Sequence, residues 1–369
     1  MKIAIDARPA TGRRSGVGNY LHVLLHELAE LDQRNEYLLF VEQGATIEPG
    51  LPKNFRTVAV AGRLLRWHLA VARACRRAAV DVYHSPESPI VPFILRRRSI
   101  LTIHDLSALR FPGVATWRTR LYQWSLFVAA RRVGRIAADS GNTRTDVISL
   151  LKGRPGHVRV VYPAVSRRFR PLHDAAALSA VRRKLALPER FILFVGTLEP
   201  RKNLQRLVRA FHAVKTDRPC KLVVVGARGW KFAPIFETVK TLGMQARVVF
   251  ADYVADEDLV GLYSLAEGFV YPSLYEGFGL PLLEAMTCGC PALAGSASSL
   301  PEIAADAALL VEPTDEEALA DGITRLLGNE ALRADLAARG LERSALFSGS
   351  RFAQALLDLY RETAQESGS

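Results

Sequence analysis

Short apolar runs alternate with helical patterns along nearly the whole chain of 369 residues. The first run, KIAID, leads through the glycine turn SGVGNY into the helical pattern YLHVLLHELAEL. Later runs form two series, first YLLFVE, RTVAVA, VDVYHS, SILTIHD and RIAADS, then RFILFVG, KLVVVG, ARVVFADYV, EGFVYPS, CPALAG and AALLVEP. Strands that alternate with helices predict parallel sheets covered by helices on both faces.

The two series are separated by residues 163–189, where spaced prolines, many charges and one local helical pattern interrupt the alternation. This stretch is typical of an interdomain connection, and the chain is about twice as long as a usual domain. We therefore predict an α/β protein with two doubly wound, Rossmann-like domains facing a cleft, at 1–165 and 166–349. In such folds ligands bind beyond the carboxyl ends of the strands, so the informative residues are expected just after strands.

The balance of 49% hydrophobic and 23% charged residues is that of an ordinary globular protein. The net charge of +12 is distributed unevenly along the chain. Residues 51–250 carry 38 Lys and Arg against 10 Asp and Glu, whereas residues 251–369 carry 6 against 20. A basic body with an acidic C-terminal third suggests that the basic part meets an anionic ligand or surface.

The N-terminus turns polar after five residues, and no apolar run approaches the roughly 20 residues that a membrane-spanning helix requires. We therefore expect a cytoplasmic protein. None of its cysteines lies in a Cys-x-x-Cys pair or at metal-binding spacing from His. They are expected to be small buried thiols, at Cys75, Cys220, Cys288 and Cys290.

Two features follow predicted strands of the first domain. Gly16 and Gly18 lead into a helix, where backbone amides and the positive helix end favour a phosphate. A plain tight turn is the alternative, because Leu21 stands where a dinucleotide fingerprint has its third glycine. His104 and Asp105 follow a later strand. The imidazole there either bonds a sugar hydroxyl or moves a proton, with Asp105 holding its tautomer, or it is a histidine satisfied within a loop.

The second domain opens with FVGTLEPRKNLQRLV, which places Arg201 and Lys202 in the approach to a helix. Two cations beside a helix N-terminus hold a pyrophosphate well, since Arg offers a bidentate fork, Lys a point charge and the helix free amides. A surface charge pair is the alternative. A nucleoside triphosphatase is not indicated, because the chain has no Gly-x-x-x-x-Gly-Lys-Ser string.

The stretch YEGFGLPLLEA contains Glu276 and Glu284, eight positions apart. A glycosidase places two carboxylates roughly 5–9 Å apart, whereas eight residues of one helix would separate them by about 12 Å. Because Pro281 favours the first turn of a helix, we expect Glu276 in the preceding loop and Glu284 in the helix. Each carboxylate then serves a different part of one long ligand, and the intervening glycines allow close backbone approach.

The string from Glu276 to Glu284 resembles the signature of the retaining glycosyltransferases of family 4, which have the two-domain GT-B fold and use nucleotide-diphosphate sugars. The resemblance covers nearly the whole chain, since SGVGNY, TIHD, VGTLEPRKN and YPSLYEGFGLPLLEAMTCGCP occur in family order. The combination of TIHDL with GTLEPRKN looks most like bacterial mannosyltransferases of polysaccharide or lipopolysaccharide assembly. This makes GDP-mannose the first expected donor, with UDP-hexoses and GDP- or dTDP-deoxysugars such as rhamnose as alternatives.

The resemblance implies a role for each matching residue of the second domain. Glu284 would accept hydrogen bonds from the ribose hydroxyls, and Glu276 would contact the donor sugar. Lys202, assisted by Arg201, would neutralise the leaving diphosphate. Backbone amides would reach the sugar and phosphates from Gly277, Phe278, Gly279 and Leu280.

The resemblance also assigns residues elsewhere in the donor site. Gly16, in the same loop as Gly18, would approach the diphosphate from the first domain, and His104 would lie over the donor sugar. Thr197 follows the strand-end glycine at a position where several relatives have Arg. Arg201 and Lys202 would then carry more of the phosphate contact.

The last segment of the chain, 350–369, places apolar residues at helical spacing, which predicts an amphipathic helix that needs a partner surface. This apolar stripe consists of Phe352, Leu356, Leu357 and Tyr360. The resemblance implies that the helix crosses back to the first domain. The predicted domains are then 1–165 with 350–369 on the acceptor side, and 166–349 on the nucleotide-sugar side.

The resemblance implies a reaction without a metal or cofactor, in which cations and helix amides stabilise the leaving diphosphate. The sugar would pass through an oxocarbenium-like state and retain its configuration. The string Asp256-Glu257-Asp258 formally matches the Asp-x-Asp motif of metal-dependent transferases. We instead predict that Asp256 caps a helix, with Glu257 and Asp258 in its first turn.

Two basic helical patterns, 63–80 and 117–135, mix Arg with Trp, Leu and Phe. Such helices either lie on an anionic membrane surface, where a glycan or lipid-linked saccharide acceptor is found, or pack inside the domain with Arg outward. A nucleic-acid partner is not expected, because the chain lacks a recognised motif. A nucleotide-sugar epimerase and a non-catalytic binder of anionic ligands remain alternatives, although neither accounts for the paired glutamates.

Overall fold

The computed structural model describes residues 1–12, 16–47, 50–111, 117–216 and 218–368. The chain divides into two compact units. The N-terminal unit comprises Met1–Ser166 and Phe347–Ser369, and the C-terminal unit comprises Arg167–Leu346. The division falls one residue from the boundary expected after 165 and three from that expected before 350.

The strands, in chain order, are β1 (Lys2–Asp6), β2 (Glu36–Glu42), β3 (Phe55–Val60), β4 (Val82–Ser85), β5 (Ser99–Ile103), β6 (Arg135–Ala138), β7 (Val158–Val160), β8 (Phe191–Val195), β9 (Lys221–Val225), β10 (Val248–Phe250), β11 (Gly268–Tyr271), β12 (Ala292–Gly295) and β13 (Ala308–Val311). The α-helices are α1 (Gly16–Leu31), α2 (Leu65–Arg77), α3 (Ile90–Leu95), α4 (Ser107–Arg110), α5 (Trp117–Ala129), α6 (Gly141–Leu150), α7 (Ala175–Lys184), α8 (Leu204–Ala213), α9 (Ala233–Thr241), α10 (Asp256–Leu265), α11 (Leu280–Thr287), α12 (Leu300–Ala304), α13 (Glu316–Gly328), α14 (Glu330–Ser344) and α15 (Gly349–Gly368).

The N-terminal unit is built on a parallel sheet of order β3-β2-β1-β4-β5-β6-β7. Every apolar run of the first series forms a strand of this sheet, which confirms the sequence prediction. Strand β7 was not predicted, since it is only three residues long and its middle residue, Arg159, is exposed. Such a short edge strand carries little periodicity.

Helix α15 packs against α1 and belongs to the N-terminal unit. The predicted apolar stripe is buried throughout, at Phe352, Leu356, Leu357 and Tyr360. The Tyr20 and Phe352 rings meet edge to face at 4.9 Å, and the Tyr360 hydroxyl lies 2.8 Å from Nδ1 of His84 on β4. The final helix therefore completes the core of the unit in which the chain began.

The C-terminal unit is built on a second parallel sheet, of order β10-β9-β8-β11-β12-β13. The chain runs outward from β8 through β9 to β10, then returns to the other side of β8 and continues through β11. This reversal of direction makes the boundary between β8 and β11 a topological switch point, the usual place for a ligand in such a sheet. The segments that follow these two strands carry Arg201, Lys202 and Glu276.

Helix α10 differs from its prediction at one position. Ala255 is the residue that precedes the helix, and Asp256 is the first helical residue, with no side-chain cap. The predicted cap is therefore wrong, because the Asp256 carboxylate lies 3.5 Å from Arg168 and forms an ion pair with it. The expected acidic first turn of Glu257 and Asp258 is confirmed. Their negative charges interact favourably with the positive end of the helix dipole.

The cysteines behave as expected, since all four are free and buried. Burial raises the pKa of the Cys75 and Cys288 thiols to about 12, so neither is poised as a thiolate. Within the described part of the chain, every helix is too short or too polar to span a bilayer.

Candidate active site

The switch point of the C-terminal unit holds a buried cluster of two cations and a carboxylate. Glu276 Oε1 accepts a hydrogen bond from Lys202 Nζ at 2.6 Å, and Oε2 accepts one from Arg201 at 3.0 Å. Lys202 Nζ also donates to the Tyr271 hydroxyl at 2.5 Å, and Glu199 pairs with Arg201 Nε at 2.5 Å. The predicted cations and the predicted carboxylate are thus in direct contact, although 74 residues of sequence separate Lys202 from Glu276.

Local backbone geometry positions the two cations. Gly196 directly follows strand β8, and a Cβ on Gly226 would lie 2.0 Å from the Gly196 carbonyl oxygen. A 3-10 turn over Pro200–Lys202 follows, and Asn203, in the left-handed conformation, directly precedes α8. The Asn203 side-chain amide donates to the carbonyls of Pro272 and Pro313 at 3.1 and 2.5 Å. This amide ties the loop after β8 to the loop after β11.

The cluster keeps Glu276 ionised. Burial alone favours the neutral acid, but the charges of Lys202 and Arg201 outweigh it and lower the pKa of Glu276 to about 2. The pKa of Lys202 is lowered by burial and by Arg201, and Glu276 opposes that change. The carboxylate and Lys202 therefore depend on each other, and removing either charge would leave the other buried without compensation.

The glycine loop before α11 is held by two serines that the sequence analysis did not identify. Ser299 Oγ donates to the Phe278 carbonyl at 2.8 Å and to the Glu276 carbonyl at 3.1 Å. Ser298 Oγ accepts from the Glu276 amide at 3.0 Å. Gly279 precedes the helix with φ of 108°, and a Cβ there would meet Leu300 at 2.8 Å, so a glycine is required. The only sequence signal for the serines is their small polar character in SASS.

Residues 277–280 and Glu284 follow directly from this loop. Gly277, Phe278 and Gly279 are buried, and Leu280, which is partly buried, is the first residue of α11. Glu284 lies in the same helix, as predicted, while Glu276 lies in the preceding loop. The segment between the two carboxylates is therefore a tight turn into a helix N-terminus, where backbone amides favour an anion.

Glu284 is held by a tyrosine that the sequence analysis also missed. The Tyr263 hydroxyl on α10 donates to Glu284 Oε2 at 2.9 Å. Desolvation dominates here and raises the pKa of Glu284 to about 7, with a smaller upward contribution from Asp256, while the Tyr263 hydrogen bond opposes the rise. The pKa values of the two glutamates are therefore shifted in opposite directions, because Glu276 lies beside two cations, whereas desolvation dominates at Glu284.

His104 occupies a different setting from the one predicted. Its Nδ1 lies 2.7 Å from Asp139, and its Nε2 lies 2.8 Å from the Pro86 carbonyl oxygen. Asp105, the expected partner, instead accepts hydrogen bonds from Ser107. The prediction of Asp105 as the orienting carboxylate is wrong, because its side chain turns toward α4. Burial lowers the pKa of His104, but Asp139 outweighs burial and the net pKa is raised.

The other predicted ligand-contacting residues are placed as follows. Gly16 is the exposed first residue of α1, and Gly18, two residues later, is buried in the same first turn. The prediction that both glycines lie in a turn before the helix is therefore wrong, because the helix already begins at Gly16. Thr197 is exposed after β8.

The described residues contain no group of three or more His, Cys, Asp or Glu placed to hold a metal ion. Asp258 is paired with Lys184 at 2.6 Å instead.

Comparison with known proteins finds family matches over both units. Residues 179–343 match the model described as glycosyl transferases group 1, and residues 14–169 match glycosyltransferase family 4. The chain is 30% identical to O-antigen chain mannosyltransferase B of Escherichia coli over 383 aligned positions, covering 98% of this chain and 100% of that protein. The chain belongs to the family 4 glycosyltransferases.

Solved structures with the same architecture identify the fold. A sucrose-phosphate synthase from Thermosynechococcus elongatus matches with a TM-score of 0.80 and 23% identity, covering 100% of both chains. Anabaena HepE in complex with UDP-glucose matches with a TM-score of 0.77 and 19% identity, covering 97% of this chain and 99% of that one. The two parallel-sheet units form the GT-B fold, as the sequence predicted.

Proposed function

We propose that the protein is a retaining, metal-independent hexosyltransferase that moves mannose from GDP-mannose to a glycan or lipid-linked saccharide in polysaccharide or lipopolysaccharide biosynthesis. The observation that carries this proposal is the buried cluster of Lys202, Arg201 and Glu276 at the switch point of the C-terminal unit. The near full-length relative is an O-antigen chain mannosyltransferase, which supports mannose as the sugar and a bacterial surface glycan as the product.

The proposed reaction uses the cluster to stabilise the leaving group. Departure of the diphosphate concentrates negative charge on its oxygen, and Lys202 and Arg201 stabilise that charge once the diphosphate has replaced the Glu276 carboxylate as their partner. The bond between the anomeric carbon and that oxygen breaks, and the acceptor oxygen bonds to the same face of the sugar. The acceptor proton passes to the leaving phosphate oxygen, so the step needs no co-reactant.

The remaining donor-site residues take positions along the same ligand. The diphosphate displaces the Glu276 carboxylate from Lys202 and Arg201, and Glu276 then contacts the sugar. Glu284 accepts hydrogen bonds from the ribose hydroxyls. Backbone amides of residues 277–280 and the exposed Thr197 reach the phosphates. From the N-terminal unit, Gly16 and Gly18 in the first turn of α1 approach the diphosphate, and His104 lies over the sugar.

The donor is tested by thermal stability in the presence of GDP-mannose, UDP-glucose, dTDP-rhamnose and ADP-glucose. A ligand at 100 times its dissociation constant stabilises the folded state by about 2.7 kcal/mol, which is readily measured as a shift in Tm. We expect the largest shift with GDP-mannose. A shift with UDP-glucose or dTDP-rhamnose alone would replace mannose by another sugar, and no shift with any of the four would refute a nucleotide-sugar site.

The acceptor side includes a surface suited to the cytoplasmic face of an anionic membrane. Helix α2 exposes Leu65 and Leu69 beside the exposed Arg63 and Arg66, and α5 exposes Trp124. The side chains of 117–120, part of the second predicted basic pattern, lie outside the described residues. Exposed apolar and cationic side chains together favour adsorption to anionic lipid. No nucleic-acid partner is proposed.

Membrane binding is tested by co-sedimentation with phosphatidylcholine vesicles that contain or lack phosphatidylglycerol. The double variant Arg63→Ser, Arg66→Ser is expected to bind anionic vesicles about thirtyfold more weakly, since each basic residue near the surface contributes about 1 kcal/mol. The matched control, Lys240→Ser with Arg325→Ser, removes two exposed cations from the C-terminal unit. Equal binding of both double variants, or no binding of the unchanged protein, would remove the membrane from the proposal.

A further inference from the structure

Both ring nitrogens of His104 face groups that accept hydrogen bonds and do not donate them. Nδ1 lies 2.7 Å from the Asp139 carboxylate, and Nε2 lies 2.8 Å from the Pro86 carbonyl oxygen. A neutral imidazole has a single N–H and would turn a lone pair toward one of these oxygens, whereas an imidazolium donates from both nitrogens. The two contacts together therefore favour the doubly protonated ring.

The surroundings of Asp139 favour the same charge state. Asp139 directly follows β6 and is only 5% exposed. Its Oδ2 faces His104, and its Oδ1 has no hydrogen-bond partner within the described parts of the chain. A carboxylate removed from water is costly unless a nearby cation compensates its charge. A protonated His104 supplies that compensation.

A second buried histidine of the same unit has partners of a different kind. His84 on β4 lies 2.8 Å from the Tyr360 hydroxyl through Nδ1 and 2.8 Å from the Thr102 hydroxyl through Nε2. Hydroxyls donate as well as accept, so a neutral ring satisfies both contacts. Burial and the charge of His104 lower the pKa of His84 to about 3. Burial also lowers the pKa of His104, but Asp139 outweighs it and the net pKa lies above the ordinary value of 6.5.

The His104 ring connects the ends of three neighbouring strands. His104 directly follows β5, Pro86 directly follows β4 and Asp139 directly follows β6. Loss of one ring proton would break one of the two bonds and release one of these strand ends. The other titratable groups around the ring are Asp105 in the same loop, Tyr20 of α1, His84 of β4, and Glu87 and Tyr122, which line the same small cavity.

We propose that His104 works as an imidazolium that clamps the segments after β4, β5 and β6, with Asp139 as the positioning residue that maintains its charge. Because both ring nitrogens are engaged, the ring neither takes the acceptor proton nor accepts a bond from a sugar hydroxyl. This agrees with the proposed route, in which the acceptor proton passes to the leaving phosphate oxygen. The effect on transfer rests on the proposed function, whereas the charge state of His104 does not.

The charge state is tested by nitrogen-15 NMR of histidine-labelled protein, with each resonance assigned from a His→Gln variant. We expect the His104 ring to lose its second proton at a higher pH than the exposed His173 in the same sample. The His84 ring should stay neutral over the whole range. A His104 midpoint below that of His173 would overturn the inference, and this measurement uses the unchanged protein.

The role of Asp139 is tested by Asp139→Asn, which keeps an oxygen near Nδ1 and removes the charge. The midpoint of His104 should fall by about 1–3 pH units, the usual effect of an adjacent carboxylate. The alkaline decline of kcat/KM, for transfer from GDP-mannose to octyl α-mannoside, should move to lower pH by the same amount. Asp321→Asn, an exposed aspartate of α13, is the matched control and should move neither.

A transfer profile that stays in place while Asp139→Asn moves the His104 midpoint would overturn the clamp. Absence of transfer by the unchanged protein at every pH, together with no binding of GDP, would instead refute the proposed function. The NMR titration would still decide the charge state of His104 in that case.

Discussion

Replacing Glu276 by Gln should nearly abolish sugar transfer and at the same time tighten the binding of GDP. In the unliganded protein the Glu276 carboxylate occupies both Lys202 and Arg201, so a diphosphate must compete with it. Close, buried charge pairs couple by roughly 1.5 kcal/mol or more, which predicts GDP affinity about tenfold higher without the carboxylate. Transfer should fall by about 10²–10³, because the contact to the reacting sugar is lost.

The same substitution should destabilise the unliganded protein. The buried Lys202 would lose its carboxylate, at a cost of about 3–5 kcal/mol in the free energy of unfolding, whereas the partly exposed Arg201 keeps its ion pair with Glu199. GDP supplies the missing negative charge and should restore part of this loss. Glu237→Gln, an exposed glutamate of α9, is the matched control and should change neither transfer nor stability. Weaker GDP binding in Glu276→Gln would show that the cations do not hold the diphosphate.

Binding of GDP is also expected to tighten as the pH rises from 6 to 8. The pKa of Glu284 is raised to about 7 in the unliganded protein, so the carboxylate is ionised in about one tenth of molecules at pH 6 and nine tenths at pH 8. Only the ionised form accepts hydrogen bonds from both ribose hydroxyls. The apparent dissociation constant should therefore fall about tenfold over this interval.

The variant Glu284→Gln isolates the contribution of Glu284 to the pH dependence of GDP binding. It removes the carboxyl group that titrates, so that only the ionisation of the nucleotide still changes with pH. Calorimetric titrations of both proteins across the same pH range should give a steeper profile for the unchanged protein. Tyr263→Phe removes the hydrogen bond that lowers the pKa of Glu284 and should move the midpoint to higher pH. Parallel profiles for the unchanged protein and Glu284→Gln would contradict the assignment of Glu284 to the ribose.

Ionisation of Glu284 should also affect the free energy of unfolding of the unliganded protein. Rising pH strengthens GDP binding through this group, but it weakens the stability of the folded state. The folded pKa of Glu284 lies above its ordinary value of 4.5, so the folded state holds a proton that the unfolded state has released. The protein therefore loses stability as the pH rises from about 4.5 to 7. Glu276, whose pKa is lowered to about 2, contributes stability above about pH 4.5 that is lost toward pH 2.

The fold was largely predictable from the sequence because its signal is local. Strands such as β8 and β11 are short apolar runs bounded by glycine and proline, and the stripe on α15 has clear helical spacing. The helices between successive strands predict parallel pairing, because parallel strands need crossover connections, whereas the order of the strands is read from the structure. Once β8 and β11 are adjacent, Lys202 and Glu276 must end on the same edge of the sheet.

The hydrogen-bond partners that could not be predicted from the sequence share one physical property. Asp139 orients His104 from 35 positions away, and Tyr263 reaches Glu284 from 21 positions away. Adjacency in sequence predicts Asp105 as the partner of His104, yet neighbouring residues after a strand point in different directions. Partners that come from another element depend on packing, and a single sequence carries no periodicity that reports it.

The most direct test of the central claim is the affinity of Lys202→Met for GDP and its rate of mannose transfer, measured beside the unchanged protein. Methionine keeps most of the length of the lysine side chain while removing its charge. If Lys202 neutralises the leaving diphosphate, GDP binding should weaken by at least tenfold and transfer should fall by about 10²–10³, with folding retained by circular dichroism. A folded Lys202→Met protein that binds GDP and transfers mannose at the unchanged rate would contradict the account.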